Sequence, residues 1–588
     1  MGETDTQTTD SLDVRGHPVN MLARSHSHPH QPVFGMRVLR AYRRQVGAWV
    51  VRAGRDNAIA VADFEIFIMA LFVSVAGLNV LSRRLSIPYP IPLVLGGLVL
   101  GLVPGLPEIE LEPDLVLLVF LPPLLYAAAF FSDLRALRRD ARTITLASTG
   151  LVLATTLVVA AIAHEALGLA WPMAFVLGAI VSPTDPVAAT TILRRLGAPR
   201  RLINTIEGES LVNDATALVA FRVAVAAAVG GTFSILDAGL EFVWSSLGGI
   251  AIGLAMGWLV AEIRRRIEDT PTEITISLFT GYAAFVPAHQ VGASGVLAAV
   301  TAGIYLGWRA PELASPQTRL QSGALWEILV FLLNATLFIL IGLQLPVIVD
   351  GLDGYGVGEL VVDALAVSAA VIAVRFAWLF TVPYVIRAVD RRPAQVARRV
   401  GPGPRIVSAW SGMRGAVSLA AALSLPLTTD AGAPLPDRDL VLFLTFAVIL
   451  VTLVGQGLTL PMVIRALDVR EDGSEEEAEE VLARLAASRA ALERIDALSV
   501  EDWTRPDTLQ RVSGVYRFRE NRFAVRAGEA ESDEDIEDRS HAYQRLMHEL
   551  FTAQRRALVD LRNRGEISSD VMHRIERELD LEETRLEI

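Results

Sequence analysis

The chain has 588 residues, of which 52 % are hydrophobic, and its mean hydropathy of +0.42 is too apolar for an ordinary soluble protein. It contains no cysteine, which excludes disulfides, thiol catalysis and cysteine-ligated metals. The net charge is −12, and acidic runs gather near the C-terminus, which argues against nucleic-acid binding.

Residues 1–57 are predicted to form a disordered, partly basic N-terminal extension, in which no signal peptide is evident. Its His26, His28 and His30 could bind a metal weakly, but a solvated polar tail is the favoured interpretation. Residues 33–55 fit a basic amphipathic helix lying on the membrane.

Residues 58–466 are predicted to form the transmembrane domain, because runs of about 20 apolar residues recur along them. We count thirteen spans, at roughly 58–82, 87–105, 113–132, 143–164, 171–197, 206–230, 236–261, 273–290, 293–309, 323–347, 360–388, 404–427 and 437–465. The predicted fold class is therefore an all-α polytopic membrane protein.

Arginine predicts the orientation of these spans, because positive loops stay in the cytoplasm. Six arginine-rich segments alternate with short acidic or neutral loops; they are 83–84, 135–142, 194–201, 264–266, 309–319 and 387–405. Thirteen spans then put the C-terminus in the cytoplasm and the N-terminus outside, although the arginines of residues 37–55 would favour the opposite side for the N-terminus.

Residues 467–588 are predicted to form a charged, helical cytoplasmic region. Glu475 to Asp496 and Tyr543 to Arg562 have apolar residues at helical spacing, and an acidic break at Glu529 to Asp538 separates them. Regulation by this tail and a plain helical appendage are both compatible with the pattern.

Three carboxylates within one stretch of thirty residues stand out at predicted membrane depth: Asp185, Glu209 and Asp214. Ionised groups at membrane depth are costly, and they usually mark ion pathways or proton relays. A helix after Arg201 places Ser210 and Asp214 on one face, four residues apart, as it does Glu209 and Asn213.

The Ser210 hydroxyl and the Asp214 carboxylate are hard oxygen ligands that suit a small monovalent cation. Asp214 can also take a proton, so a cation and a proton would compete for one carboxylate. Helix–helix hydrogen bonding is the alternative for any one polar residue, but it explains the whole cluster poorly.

Two spans are predicted to be broken at their centres. Pro183 and Pro186 flank Thr184 and Asp185, so the helix must unwind there and free carbonyls such as that of Thr184 for a cation. The second break is Ser411 to Ser418, where glycines flank Arg414.

Broken segments in two halves of a chain indicate an inverted repeat, here spans four to six and eleven to thirteen, with the ion site where the broken helices cross. If Arg414 neutralises Asp185 and Arg375 neutralises Glu209, then Asp214 alone is left uncompensated. These two pairings are hypotheses.

The motifs of residues 60–465 resemble the monovalent cation–proton antiporter superfamily, specifically its sodium/proton exchanger branch and the bacterial members. They are Leu121 to Tyr126, Ser182 to Pro186, Gly208 to Asp214, Ser294 to Gly303, Asn334 within its apolar run, and Met413 to Ser418. Relatives often carry an acid directly after the first motif, where this chain has Ala127 and Ala128.

The resemblance implies a homodimer in the plasma membrane that exchanges Na⁺ for H⁺, electroneutrally and one for one, for pH and sodium homeostasis. Asp214 would bind the ion or proton, and Ser210, Thr184 and Asn213 would assist. Asp185, Glu209, Arg375 and Arg414 would hold the core together. It implies no enzyme activity, no cofactor and no metal beyond the transported cation.

Three other functions stay open at this point. K⁺ or Li⁺ could replace Na⁺, since hard oxygens satisfy all three cations. A membrane-embedded ion or pH sensor would use the same buried charges, with the acidic tail as its output. A channel would share the charges but would not need a carboxylate poised to exchange protons.

Overall fold

The computed structural model describes residues 57–85, 87–103, 116–230, 235–350, 352, 355–389, 400–471, 473–531, 536–584 and 586. The predicted N-terminal extension up to residue 56, its three histidines and the amphipathic helix of residues 33–55 lie outside this part of the chain. So do the whole acidic loop from Glu108 to Asp114 and part of the acidic break at residues 529–538.

The described segments are mostly helical. The helices that precede the charged tail are α1 (Asn57–Leu85), α2 (Pro90–Gly101), α3 (Leu121–Phe130), α4 (Leu134–Thr145), α5 (Val152–Glu165), α6 (Trp171–Val181), α7 (Val187–Arg195), α8 (Arg200–Gly230), α9 (Ile235–Arg264), α10 (Thr270–Gln290), α11 (Gly295–Leu313), α12 (Pro316–Leu343), α13 (Leu345–Asp350), α14 (Val357–Val389), α15 (Pro402–Trp410), α16 (Ala416–Leu423), α17 (Arg438–Leu450) and α18 (Gly457–Ala466). Wider π-helical turns at Val116–Phe120, Leu146–Leu151 and Val451–Gln456 lead into α3, α5 and α18.

Six helices among the described residues are long and apolar enough to cross a membrane. They are Leu134–Glu165, Arg200–Gly230, Gly239–Arg264, Pro316–Leu343, Val357–Ala388 and Arg438–Ala466. Shorter apolar helices lie at Pro90–Gly101, Leu118–Phe130 and Trp171–Val181. The all-helical membrane class is thus confirmed, whereas the count of thirteen spans stays a prediction.

Close packing of these helices depends on glycine. A Cβ on Gly97 of α2 would overlap the carbonyl oxygen of Ile339 on α12, and one on Gly342 would overlap that of Val94. The two backbones therefore touch, which is how helices associate where the hydrophobic effect is weak.

The arginine-rich segment 135–142, which the sequence analysis places between two spans, is helical. It lies on α4, whose first turn is capped by Asp133 accepting from the Arg135 amide at 2.8 Å. Asp140 on this helix is buried, and its Oδ1 accepts a hydrogen bond from Arg201 Nη2 at 2.8 Å. This ion pair links α4 to the start of α8.

Arg264 of the arginine-rich segment 264–266 is the last residue of α9, where it is only 4 % exposed. Its Nη2 lies 3.2 Å from Oε2 of the buried Glu273 on α10. Thr318 of α12 donates to the same carboxylate at 3.3 Å. A desolvated charge requires such partners, so this cluster joins three helices.

The charged tail folds into four helices, which are α19 (Ser474–Leu498), α20 (Pro506–Arg526), α21 (Ile536–Asn563) and α22 (Ser569–Thr584). Val481 and Leu485 of α19 pack on Phe523 of α20. Phe551 of α21 and Met572 of α22 belong to a separate apolar cluster. Both segments predicted to be helical lie within helices.

The two broken helices lie within the largest apolar cluster among the described residues. That cluster gathers buried side chains from α1, α2, α5 to α8 and α12 to α18. Both interrupted helix pairs, α6–α7 and α15–α16, belong to it, so their broken backbones meet inside packed protein. Unwound backbone is tolerated at this depth only where neighbouring groups satisfy it.

Candidate functional site

The first predicted break is present between α6 and α7. Helix α6 ends at Val181, α7 begins at Val187, and Pro183 and Pro186 lie between them. Proline cannot donate a backbone hydrogen bond, so the amides and carbonyls of residues 182–186 need other partners. The Asp185 amide finds one in the carbonyl of Met413, at 2.8 Å.

The second predicted break lies between α15 and α16, at residues 411–415. It touches the first break directly: a Cβ on Gly415 would overlap the Asp185 carboxylate, and one on Gly412 would overlap the Arg375 side chain. Glycine is needed at these two positions because side chains from other segments occupy the space of a Cβ. The two breaks form a single polar junction.

Asp185 and Arg414 do not form the ion pair that the sequence suggested. The Asp185 Oδ1 accepts from the Val187 amide at 2.9 Å, at the N-terminus of α7. The Arg414 Nε donates to the Val181 carbonyl at 3.0 Å, at the C-terminus of α6, and Nη1 donates to the Gly412 carbonyl. The negative Asp185 therefore lies at the positive N-terminal end of one helix dipole, and the positive Arg414 lies at the negative C-terminal end of another. Backbone groups that the breaks leave unbonded replace the expected side-chain partner of each charge.

Glu209 and Arg375 are in contact, as the second hypothetical pairing required. Nη1 lies 2.5 Å from Oε1 and Nη2 lies 3.1 Å from Oε2, with both side chains nearly inaccessible to solvent. The Arg375 Nε also donates to the Ser408 carbonyl of α15, at 3.2 Å. Glu209 on α8 is thereby linked to α14 and, through Arg375, to the second broken helix.

Thr184 is the centre of a hydrogen-bond network within the first break. Its carbonyl oxygen accepts from Ser210 Oγ at 3.0 Å and from Asn213 Nδ2 at 3.1 Å. Its hydroxyl donates to Glu209 Oε1 at 3.1 Å and accepts from Asn213 at 3.0 Å. Three side chains of α8 thus hold this segment in place.

The Thr184 carbonyl and the Ser210 hydroxyl are consequently bonded to each other here. To bind a cation, they would exchange this hydrogen bond for ion–oxygen contacts. Asn213 Oδ1 is buried and has no hydrogen-bond partner among the described residues. It is an oxygen that could accept from water or ligate an ion.

Asp214 is the carboxylate of this cluster that stays uncompensated. Its residue is 7 % exposed, and within the described segments no hydrogen bond or ion pair reaches its carboxylate. The carboxylate of Asp185 lies near enough to interact with it electrostatically. A buried carboxylate without a fixed counterion is open to a mobile cation or a proton.

Three residues at or near the junction were missed from the sequence. The Thr452 hydroxyl accepts from the Arg414 amide at 3.1 Å. Gln456, one turn later, is buried, and both of its side-chain polar atoms lack a partner among the described residues. Tyr89 interacts electrostatically with Asp185. Thr452 and Gln456 could have been found from the sequence, because they are polar residues four apart within the apolar run 437–465.

Ala127, where relatives often carry an acid, packs in an apolar cluster with Tyr126, Leu306 and Trp326, and Ala128 is exposed. Neither contributes a polar group. Within the part of the chain that the structure describes, no three histidine, aspartate or glutamate side chains are grouped as a metal site would need.

Comparison with known proteins supplies the family context for this junction. The family described as "Sodium/hydrogen exchanger, transmembrane" matches residues 68–466, which include both broken helices and α8. An uncharacterised Na⁺/H⁺ exchanger of Mycobacterium tuberculosis is 39 % identical over 527 residues, covering 89 % of this chain and 96 % of that protein.

Two further similarities extend this result. The Na⁺/H⁺ antiporter ApNhaP of Aphanothece halophytica is 32 % identical over 440 residues, covering 74 % of this chain and 80 % of that protein. The solved sodium proton antiporter MjNhaP1 of Methanocaldococcus jannaschii superposes with a TM-score of 0.53 at 19 % identity, covering 70 % of this chain and all of that one. At this identity the superposition supports the fold alone.

Proposed function

This chain belongs to the sodium/hydrogen exchanger family, and we propose that it is a secondary active antiporter that exchanges Na⁺ for H⁺ across the plasma membrane. It is a transporter and not an enzyme. The observation that carries the proposal is the buried Asp214 carboxylate, which lies among oxygen-bearing side chains with no fixed counterion among the described residues.

The charges around Asp214 explain why one group would carry the exchange. Glu209 is neutralised by Arg375, and Asp185 is stabilised by the amide of Val187 at a helix end. Asp214 has neither, so a proton or a monovalent cation would be its partner. One carboxylate that holds either ion moves the same charge in both directions, which makes the exchange electroneutral and one for one.

The cation's ligands would come from the same junction. Ser210 lies one helical turn before Asp214, and its hydroxyl is bonded to a second hard oxygen, the Thr184 carbonyl. The Asn213 Oδ1, which has no hydrogen-bond partner among the described residues, is a third. Na⁺ is the cation in the names of the Mycobacterium and Aphanothece relatives. The Bacillus subtilis relative, 33 % identical over 68 % of this chain, is named a sodium, potassium, lithium and rubidium/H⁺ antiporter, so K⁺ and Li⁺ belong in the test.

The proposed architecture is a homodimer of thirteen-span protomers with an inverted repeat, an external N-terminus and a cytoplasmic tail from residue 467. The contact between the breaks at residues 182–186 and 411–415 supports the idea that two broken helices cross at the ion site. Alternating access would then move the domain containing this junction against the remaining helices.

The test uses purified protein in vesicles with an imposed pH gradient. Proton movement is followed after adding Na⁺, Li⁺ or K⁺, with the membrane potential clamped by an ionophore or left free. We expect Na⁺-triggered proton movement that does not depend on the potential and that Asp214→Asn abolishes. The matched control is Glu207→Gln, which neutralises a carboxylate on the same helix that instead pairs with Arg194 at its surface.

Each other outcome has a definite meaning. A response to K⁺ alone would make the protein a K⁺/H⁺ antiporter. Cation flux without coupled proton movement would indicate a channel. No movement with any cation, or full activity in Asp214→Asn, would overturn the exchange proposal and favour a membrane-embedded sensor.

A further inference from the structure

A cavity of about 680 Å³ opens between four helices at the arginine-bearing end of the bundle. Its walls come from the last turns of α1, from α7, from α12 and from the last turn of α18. This is the face that the arginine pattern predicts to be cytoplasmic. None of the proposed cation ligands lines this cavity, and nothing in the proposed exchange uses its charged groups.

Positive charge is in excess in this cavity. Arg83, Arg195 and Arg465 line it, together with one acid, Glu327. All four side chains belong to exposed residues, and none forms an ion pair within the described segments. The three guanidinium groups come from three different helices, and no protein carboxylate among the described residues is bound to them. Together they suit an anion that has several acceptor oxygens.

The rest of the lining is suited to an amphipathic ligand. Phe331 packs edge-to-face on Tyr89 at the inner wall, with ring centroids 5.4 Å apart. Ile328, on the same helix as Glu327, is 59 % exposed at the rim. Apolar side chains beside basic ones in one cavity match an acyl chain beside a phosphate.

We propose that this cavity binds the phosphodiester headgroup of an anionic phospholipid. Basic pockets between transmembrane helices on the cytoplasmic side are suited to such headgroups, because the inner leaflet supplies them at high local concentration. A soluble phosphate ester shares the anionic chemistry but would leave the apolar rim uncovered.

The bound headgroup would also connect parts of the protein that transport must move. Arg83 and Glu327 belong to α1 and α12, whereas Arg195 belongs to α7, the half-helix that begins two residues after Asp185. Tyr89 lines the cavity and interacts electrostatically with Asp185. A lipid that bridges these arginines would therefore link α7 to α1 and α18 across the cavity.

The test measures retention of phosphatidylglycerol and phosphatidylcholine by the full-length protein in detergent, using native mass spectrometry. We expect wild type to retain phosphatidylglycerol in preference to phosphatidylcholine. The triple variant Arg83→Gln/Arg195→Gln/Arg465→Gln should lose at least about tenfold in phosphatidylglycerol affinity, because each arginine near the membrane surface contributes to anionic lipid binding. The control Arg84→Gln/Arg194→Gln/Arg470→Gln removes three nearby arginines that do not line the cavity, and it should stay within about twofold of wild type.

A second variant separates lipid binding from a folding defect. Glu327→Gln removes the only acid among the lining residues, so it should raise phosphatidylglycerol affinity severalfold, which a damaged fold cannot do. Equal retention by the two triple variants, or equal retention of the two lipids by wild type, would overturn the site. Displacement of the lipid by millimolar glycerol phosphate would overturn the lipid assignment in favour of a soluble phosphate ester.

Discussion

Arg375 and Glu209 form a two-point ion pair inside the protein, with contacts of 2.5 Å and 3.1 Å. The pair joins α14 to α8, and both residues are at most 3 % exposed. In this surrounding the two charges depend on each other, because either one alone would be a desolvated ion without a partner. The relationship fixes α8, and with it the position of Asp214.

Removing one partner should therefore cost more than removing both. We expect Glu209→Gln or Arg375→Gln alone to destabilise the protein by roughly 3–5 kcal/mol, whereas the double variant recovers a substantial part of that loss. Thermal unfolding of the four proteins in detergent gives the coupling. The exposed pair Arg484–Glu480, taken through the same cycle, should show a coupling of at most about 0.5 kcal/mol. Additive effects at Glu209 and Arg375 would contradict the pair.

Gly415 should be intolerant of even the smallest side chain. A Cβ at this position overlaps the carboxyl group of Asp185, so Gly415→Ala must push the two breaks apart. We expect a loss of about 1–3 kcal/mol in stability from overpacking, together with loss of Na⁺-driven proton movement in vesicles.

The matched control for Gly415 is Gly77→Ala in α1, where an added Cβ meets no atom within 4 Å. This change should be neutral or stabilise by up to about 1 kcal/mol, because alanine is the better helix former. Full transport by Gly415→Ala at wild-type stability would mean that the contact between the breaks is not required.

The sequence anticipated where the helices break, because proline and glycine act through the local backbone. Pro183, Pro186 and Gly415 each lie within an observed break. Helical spacing also put Ser210 and Asp214 on one face of α8. These predictions were possible because they depend only on residues that are close to each other in the sequence.

The wrong inference concerned partners that are distant in sequence. Arg414 was paired with Asp185 by charge alone, but the Val181 carbonyl became available only because α6 ends there. The burial of Arg264 among helices, with Glu273 as its partner, was likewise not visible in the sequence. Sequence patterns list the charges but not the backbone groups that a break exposes, nor the neighbours that desolvate them.

Tail stability should depend on pH through Glu537. Arg522 donates to its carboxylate from Nε at 3.0 Å and from Nη2 at 2.8 Å, and these hydrogen bonds lower the pKa of Glu537 below its usual range. A carboxylate whose pKa is lower in the folded state than in the unfolded state stabilises the fold when it is ionised. This contribution is fully present above the ordinary glutamate pKa of about 4.3, and it is lost as the pH falls through the lowered pKa. Because the side chain is 35 % exposed, solvent screening limits the contribution to less than about 1 kcal/mol.

Hydrogen exchange, corrected for intrinsic rates, can follow the contact between α20 and α21 in the full-length protein. We expect protection near Arg522 to fall in Glu537→Gln at neutral pH, and its acid sensitivity to shrink. Glu549→Gln, an exposed site on α21, should leave both unchanged. The same acid sensitivity in wild type and in Glu537→Gln would assign the effect to another group.

The start of the tail is fastened to the helix that carries the ion site. Glu471 Oε2 accepts from the Arg200 amide at 3.0 Å, in the first turn of α8, and the Glu471 amide donates to the Gly197 carbonyl at 2.9 Å. The carboxylate thus satisfies one of the amides that a helix start leaves unbonded and faces the positive end of the helix dipole. Glu471→Ala should cost about 0.5–2 kcal/mol of local stability.

That loss should be confined to the junction between tail and transmembrane helices. In Glu471→Ala, we expect faster hydrogen exchange in the first turn of α8 and no change around Phe523, where α19 and α20 pack. The control is Glu479→Ala, an exposed acid on α19 that forms no hydrogen bond or ion pair with the start of α8 in the described part of the chain, and it should exchange like wild type. Unchanged protection near Arg200 in Glu471→Ala would mean that the first turn of α8 is stable without the tail. Faster exchange there would mean that the tail stabilises the helix that carries Asp214.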